Sequence, residues 1–280
     1  MLDAFDRHLL GERPLPLAAV LPRAVREFLY FGVKQARACL FVGLFFGAVF
    51  TVPRDGLAGF ARYDLLLAWA VAVQAWMLAA KLETFDEFKA IGLFHAVGFA
   101  LEAFKTHPAI ASWSYPDPAL TKLLGVPLFA GFMYAAVGSY VIQAWRLLDL
   151  RIRHHPPHWM GALLAAAIYA NFFTHHFIGD VRWYLAALAL GLYARTVVVF
   201  RPLDRDRRMP LLLGFVLIGL FVWIAENIST FFHVWRYPDQ MGAWAAVHVG
   251  KWSSWALLVV MTFTIVANLK HIKARIHVPE

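Results

Sequence analysis

The chain reads as an all-α, polytopic transmembrane bundle of about eight helices, with both termini on the cytoplasmic side. Three observations predict this. Of the 280 residues 61% are apolar and only 16% charged, with a mean hydropathy of +0.59, well outside ordinary soluble composition. Several apolar runs reach the roughly 20 residues that a helix needs to cross about 30 Å of hydrocarbon. Lys and Arg gather in particular connections, as cytoplasmic loops require. No run alternates in polarity as barrel strands do, so each span must satisfy its backbone within a helix.

Residues 1–27 form a cytoplasmic arm. They lack the continuous apolar core and small-residue cleavage site of a signal peptide, and Pro14, Pro16 and Pro22 interrupt any single helix. The bundle follows over 28–269, with spans expected at about 28–52, 61–81, 86–107, 123–147, 159–177, 180–200, 209–232 and 246–269. The third holds His95, Glu102 and Lys105, and the fifth ends in His175 and His176; such groups face a bundle interior rather than lipid. Residues 270–280 make a basic cytoplasmic tail with Lys270, Lys273 and Arg275. Arg151 and Arg153 after the fourth span, and Arg201, Arg205, Arg207 and Arg208 after the sixth, mark the same side, as do Arg7, Arg13, Arg23 and Arg26 of the arm. The net charge of +8 is therefore topological, and nucleic acid is not an expected partner. Cys39, the single cysteine, can form no internal disulfide.

A string recurs. Glu102 to Asp117 reads EAFKTHPAIASWSYPD and Glu226 to Asp239 reads ENISTFFHVWRYPD: a membrane glutamate, then a histidine, then Trp-x-Tyr-Pro-Asp. The third and seventh spans are four helices apart and run in one direction, which suggests a parallel repeat of two four-helix halves about an axis normal to the membrane. Asp64 and Asp180, opening the second and sixth spans, match in the same way. By the charge count, both Trp-x-Tyr-Pro-Asp strings and His175-His-Phe-Ile-Gly-Asp180 lie at the face opposite the cytoplasm.

A carboxylate inside a span needs a proton, hydrogen bonds or a counter-charge. Glu102 has Lys105 at i+3; Glu226 has no basic residue one turn away, and Lys251 is the first candidate from another helix. His233, two turns beyond Glu226, returns to the same helix face, and His248 and Lys251 share a face at i, i+3. Glu102, Glu226, Lys105, Lys251 and Asp180 are the catalytic candidates. His175, His176, His233 and His248 supply enough nitrogen for a zinc or iron ion, although no His-Glu-x-x-His or paired Glu-x-x-His motif occurs. Trp113, Tyr115, Trp235 and Tyr237 suit the headgroup level, and Pro116 and Pro238 fix turns that aim Asp117 and Asp239. With Asn171, Arg182 and Asn227 these form the candidate substrate-contacting set, a lid over a cavity. The competing structural reading is an aromatic belt, a buried Glu–Lys pair and water-bonded interfacial histidines. Glu83, Asp86, Glu87 and Lys89 read as a solvated loop and helix start.

On Glu83-Thr-Phe-Asp-Glu-Phe-Lys, Phe104 to Pro116, Phe173 to Trp183 and Trp235-Arg-Tyr-Pro-Asp-Gln, the chain resembles an uncharacterised family of bacterial integral membrane proteins. That resemblance spans nearly the whole chain and implies a bacterial inner membrane without supplying a reaction. A looser similarity, to membrane carotenoid hydratases of the bacterioruberin type, rests on Gly125-Val-Pro-Leu-Phe-Ala-Gly-Phe-Met-Tyr134 and hints at isoprenoid chemistry.

Three function classes follow. The first is a membrane-embedded enzyme using Glu102 and Glu226 as acid and base, with the histidines and Asp180 polarising or holding a metal, on a lipid or isoprenoid. The second is a transporter or proton-coupled carrier with its site between two repeats, and the third a non-catalytic scaffold or lipid-binding protein. Membrane lipids and an apolar small molecule are the expected partners. The enzyme reading requires Glu102 and Glu226 to share one site.

Overall fold

The computed structural model of the protein describes residues 21–276; the expected arm up to residue 20, residues 277–280, and the side chains of Lys273 and Arg275 lie outside the described residues. Helices α1 (Arg23–Ala38) and α2 (Leu40–Thr51) are bent by 65° at Cys39, so the expected first span is a broken pair. Then come α3 (Arg62–Ala79), α4 (Phe85–Thr106), a hairpin of β1 (Lys122–Leu123) and β2 (Val126–Pro127), α5 (Ala130–Leu147), β3 (Arg151–Arg153), α6 (His158–Thr174), α7 (Arg182–Tyr193), β4 (Val197–Phe200), β5 (Arg207–Pro210), α8 (Leu211–Phe231) and α9 (Lys251–Ile276).

Among the described residues, two helices are long and apolar enough to cross a membrane, α8 and α9, or three spans if the bent pair α1–α2 counts as one. The other expected spans are shorter or more polar. α4 carries Asp86, Glu87, Lys89, Glu102 and Lys105 within its 22 residues, and α7 has only 12.

Several expectations are corrected. The sixth span does not run to residue 200: α7 stops at Tyr193 and Val197–Phe200 becomes the centre of an antiparallel sheet ordered β3-β4-β5, with Val198 opposite both Ile152 and Met209. The β-branched run Val197-Val-Val favours a pleated strand. Asp206 also gathers Arg151 at 2.6 Å and Arg201 at 2.9 Å, which holds the strand ends together. The chain is mostly helical, not wholly so. The last helix starts at Lys251 rather than 246, because the preceding segment is tied to α8: Val247 N–H donates to Asn227 Oδ1 at 2.9 Å and Trp223 Nε1 to the Val247 carbonyl at 3.1 Å. Instead of ending at 269, the helix continues to Ile276.

Glu83 is also not solvated, and Glu87 is only partly exposed. Glu83, 3% exposed, accepts from Gln74 (2.5 Å), Ser139 (2.7 Å) and Gln143 (3.1 Å). Glu87 closes a capping box with Thr84 at the start of α4 and receives Arg146 at 2.8 Å. Asp86 and Lys89 are exposed as expected.

Two features position the site. Arg62, 3% exposed, donates to the carbonyl of Val49 (3.0 Å) in the last turn of α2 and to that of Phe232 (2.7 Å) just past α8. A cation here satisfies one carbonyl at each of two helix ends. The second feature is the close approach of α4 and α5. A Cβ on Gly98 would lie 2.3 Å from the Tyr134 ring, and one on Gly138 would lie 2.2 Å from the Phe94 ring, so hydrogen-only side chains let the helices approach closely. Gly98→Ala is therefore expected to lower stability by about 1–3 kcal/mol through overpacking. Gly47→Ala, whose Cβ would meet nothing within 4 Å, is expected to leave stability unchanged or raise it. Thermal unfolding in detergent distinguishes the two, and equal midpoints would contradict the tight α4–α5 contact.

Candidate functional site

The two Trp-x-Tyr-Pro-Asp strings meet. Ser114 N–H donates to the Arg236 carbonyl at 2.9 Å and Arg236 N–H to the Ser114 carbonyl at 3.0 Å, an isolated antiparallel bridge between their second residues. The flanking rings cross: Trp113 packs on Tyr237 (centroids 6.0 Å apart, 73°) and Tyr115 on Trp235 (6.5 Å, 55°).

Behind this bridge lie the two glutamates, each 3% exposed. Glu102, on the last two turns of α4, accepts from Trp113 Nε1 (2.8 Å), Tyr115 OH (2.9 Å) and Tyr134 OH (2.8 Å). Glu226, on α8, accepts from Tyr237 OH and from Trp255 Nε1 (2.7 Å). Burial, reinforced by the neighbouring carboxylates, pushes the Tyr115 and Tyr237 phenols well above their ordinary range. Both are therefore protonated donors.

Lys251, the first residue of α9, sits 4.5 Å above the Tyr237 ring and 5.6 Å from the Trp113 ring centroid, with Nζ 3.5 Å from the Tyr237 oxygen. It approaches Glu226 through Tyr237, giving an unbroken carboxylate–phenol–ammonium chain. The same ammonium reaches Trp113, the donor to Glu102, so both carboxylates belong to one cluster.

Lys105 does not pair with Glu102. One turn further along α4 it points to the end of α6, with Nζ 2.7 Å from His176 Nε2 and 3.3 Å from His175 Nε2. His175 Nδ1 lies 3.1 Å from the Asn171 carbonyl, which can only accept, so geometry assigns the proton to Nδ1 and turns a lone pair on Nε2 toward Lys105. Asn171, 5% exposed, also donates to Asp180 at 3.2 Å. Asp180 holds Arg182 at 2.5 Å, and Arg182 reaches Ser254 at 3.1 Å. Burial acts to raise the Asp180 carboxyl, but the Arg182 backbone and side chain and Asn171 outweigh it and hold the group below its usual range.

Other expected members lie apart from the carboxylates. α8 ends at Phe231 and His233 takes a positive φ of 57°, so it leaves the helix face that Glu226 occupies; the charges acting on it are those of Arg236, Arg54, Arg62 and Asp117. His248 precedes α9 instead of sharing a helical face with Lys251, and its Nδ1 accepts from Gly250 N–H at 3.0 Å. Among the described residues no three His, Cys, Asp or Glu side chains form a group able to hold a metal; only His175 and His176 of the four expected ligands are adjacent, their rings 4.0 Å apart. Asp117 faces Arg54 at 3.6 Å, whereas Asp239 is exposed in a single 3-10 turn. The tyrosines, not the aspartates after them, engage the carboxylates. Asn227 ties the loop before α9. Asp64 accepts from Leu120 N–H (3.0 Å) and Thr121 N–H (2.8 Å), a different task from that of Asp180.

Sequence reasoning missed Tyr134 and Trp255 as carboxylate donors. A phenol or indole inside an apolar helix needs an acceptor, and that requirement was their only signal.

Comparison with known proteins gives a match over residues 27–263 to a family model described as a protein of unknown function (DUF817). A relative from Bacillus subtilis (strain 168), "Uncharacterized protein YoaT", is 49% identical over 251 residues, covering 90% of this chain and 94% of the relative. No solved structure matches the chain. The similarity to carotenoid hydratases is not shown by these comparisons.

Proposed function

Because the chain belongs to the DUF817 family, whose description assigns no activity, we propose a function from the site itself: a membrane-embedded enzyme that performs acid–base chemistry on a lipid or isoprenoid. One observation carries the reading. Two buried carboxylates share a cluster in which, among the described residues, every direct donor to them is a phenol or an indole, with one ammonium spanning both sets of rings. Glu226 is linked through Tyr237 to Lys251, whereas Glu102 is held by three neutral donors. Acid–base catalysis needs such unequal environments, so that one carboxyl gives a proton while the other takes one. The Glu226–Tyr237–Lys251 chain provides a route for the proton.

In this reading the helices form about eight spans in a bacterial inner membrane. The arginine-bearing sheet lies at the cytoplasmic side and the carboxylate cluster toward the periplasmic side, at opposite ends of the 21-residue α8. The crossed pairing of Trp113-Ser-Tyr with Trp235-Arg-Tyr supports the parallel repeat as geometry.

The test is turnover. Purified protein in nanodiscs made from the host's own lipid extract is incubated and the lipids compared by mass spectrometry with Glu226→Gln and Glu102→Gln. The wild type is expected to convert a lipid species that neither variant converts. If the wild type changes no lipid but dissipates a pH gradient in proteoliposomes, and both variants stop it, the carrier reading replaces this one. If it does neither, the cluster is structural.

A further inference from the structure

We infer that the group of cations beside the carboxylate cluster is a receptor for a phosphate-type anion, which places the acidic headgroup of the substrate; the identification as substrate rests on the enzyme reading above, while the anion site stands on its own geometry. Lys105 is 5% exposed, and the direct partners of its ammonium are two imidazole nitrogens at 2.7 and 3.3 Å. Among the described residues it forms no ion pair with a carboxylate. The imidazoles accept hydrogen bonds and orient the ammonium without neutralising it. Burying a charge whose direct hydrogen-bond partners are neutral is costly, and an anion brought to the site would offset that cost.

Two more cations converge from other helices. The charges of Lys251 and Arg182, opposed by that of Asp180, act on Lys105, and those of Glu226, Arg182 and Asp239 act on Lys251. The Arg182 guanidinium is held by Asp180 through Nε (2.5 Å) and by Ser254 through one terminal nitrogen (3.1 Å). Its other terminal nitrogen makes no hydrogen bond among the described residues. A guanidinium fixed on one edge and open on the other presents a fork suited to oxyanions. Hydroxyls complete the set: Ser112 Oγ lies 3.5 Å from His176 Nε2 and Ser254 adjoins Arg182. Three cations and two hydroxyls drawn from α4, α7, α9 and the 107–121 loop match a tetrahedral, multiply charged ligand better than a planar carboxylate. His176 and Asp180 are exposed, so the site opens outward. Lys251 belongs to both clusters and would join the anion to the carboxylates.

Two probes distinguish the source of the anion. Inorganic phosphate is added to detergent-purified protein and the unfolding midpoint followed; separately, native mass spectrometry measures retention of phosphatidic acid from nanodiscs against pure phosphatidylcholine. Lys105→Met and Arg182→Gln are each expected to weaken binding by about tenfold or more, the loss of one hydrogen bond to a charged group. Lys105→Arg is expected to retain most of it and serves as the folded control. Selective retention of phosphatidic acid supports a lipid headgroup; stabilisation by phosphate alone supports a free phosphate. Binding of neither probe, or binding that Lys105→Met and Arg182→Gln leave unchanged, overturns the inference. Glu102→Gln separates the two proposals, because it is expected to abolish turnover and keep anion binding.

Discussion

Glu102→Leu is expected to destabilise the protein by about 3 kcal/mol or more. The carboxylate accepts from three donors, the Trp113 indole and the Tyr115 and Tyr134 phenols, and leucine accepts from none. Each donor left buried without a partner costs roughly 1–3 kcal/mol. Their neighbourhood is closed by Gly98 against the Tyr134 ring and by the Tyr63, Tyr115 and Phe129 rings, so the phenols have little room to find water. Glu102→Gln keeps one accepting oxygen and is expected to lose distinctly less. Thermal unfolding in detergent, read by tryptophan fluorescence, gives both values. A leucine variant as stable as the glutamine one would mean that the donors find other acceptors and that Glu102 is not the hub of its cluster.

Arg62→Met is expected to cost about 3 kcal/mol and to loosen the connection between α2 and α8. Arg62 is a single buried cation that accounts for two helix-end carbonyls, those of Val49 and Phe232. Hydrogen bonds to a charged group contribute about 1.5–3 kcal/mol each, and methionine fills similar volume while donating nothing. A lysine in its place would carry the charge but not the planar fork that reaches both carbonyls, so Arg62→Lys is expected to recover only part of the loss. The check combines the unfolding midpoint with protease sensitivity of the 52–61 connection. Unchanged cleavage there, with an unchanged midpoint, would show that the helix ends are satisfied in another way.

The site was partly legible because its polar residues stand out against an apolar background. Glu102, Glu226, Lys105 and Lys251 are charges inside largely apolar runs, and the repeated Trp-x-Tyr-Pro-Asp string marks where the chain turns. Their pairings were not legible. Sequence spacing offered Lys105 to Glu102 at i+3, yet the structure turns Lys105 to His175 and His176 and supplies Glu102 from an interhelical loop and from α5. Spacing likewise placed His233 on the face of Glu226 and His248 on that of Lys251, but α8 ends before one histidine and α9 begins after the other. Helical periodicity holds only inside a helix, and both helix ends are set by tertiary hydrogen bonds, such as that of Asn227 to Val247.

The same division holds for the fold. Hydropathy determines that the chain is mostly helical and that stretches such as 211–225 are apolar throughout, because each residue's transfer free energy is its own property and adds along a window. Charge placement marks Arg201 to Arg208 as a connection for the same reason. The strand at Val197–Phe200, the burial of Glu83 and the meeting of Ser114 with Arg236 depend on partners such as Arg151, Ser139 and the second echoed string, which no local window contains. The tertiary structure alone decides that the two echoed strings bond to each other, because a backbone bridge needs two segments within hydrogen-bond reach, and the packing of whole helices brings them there.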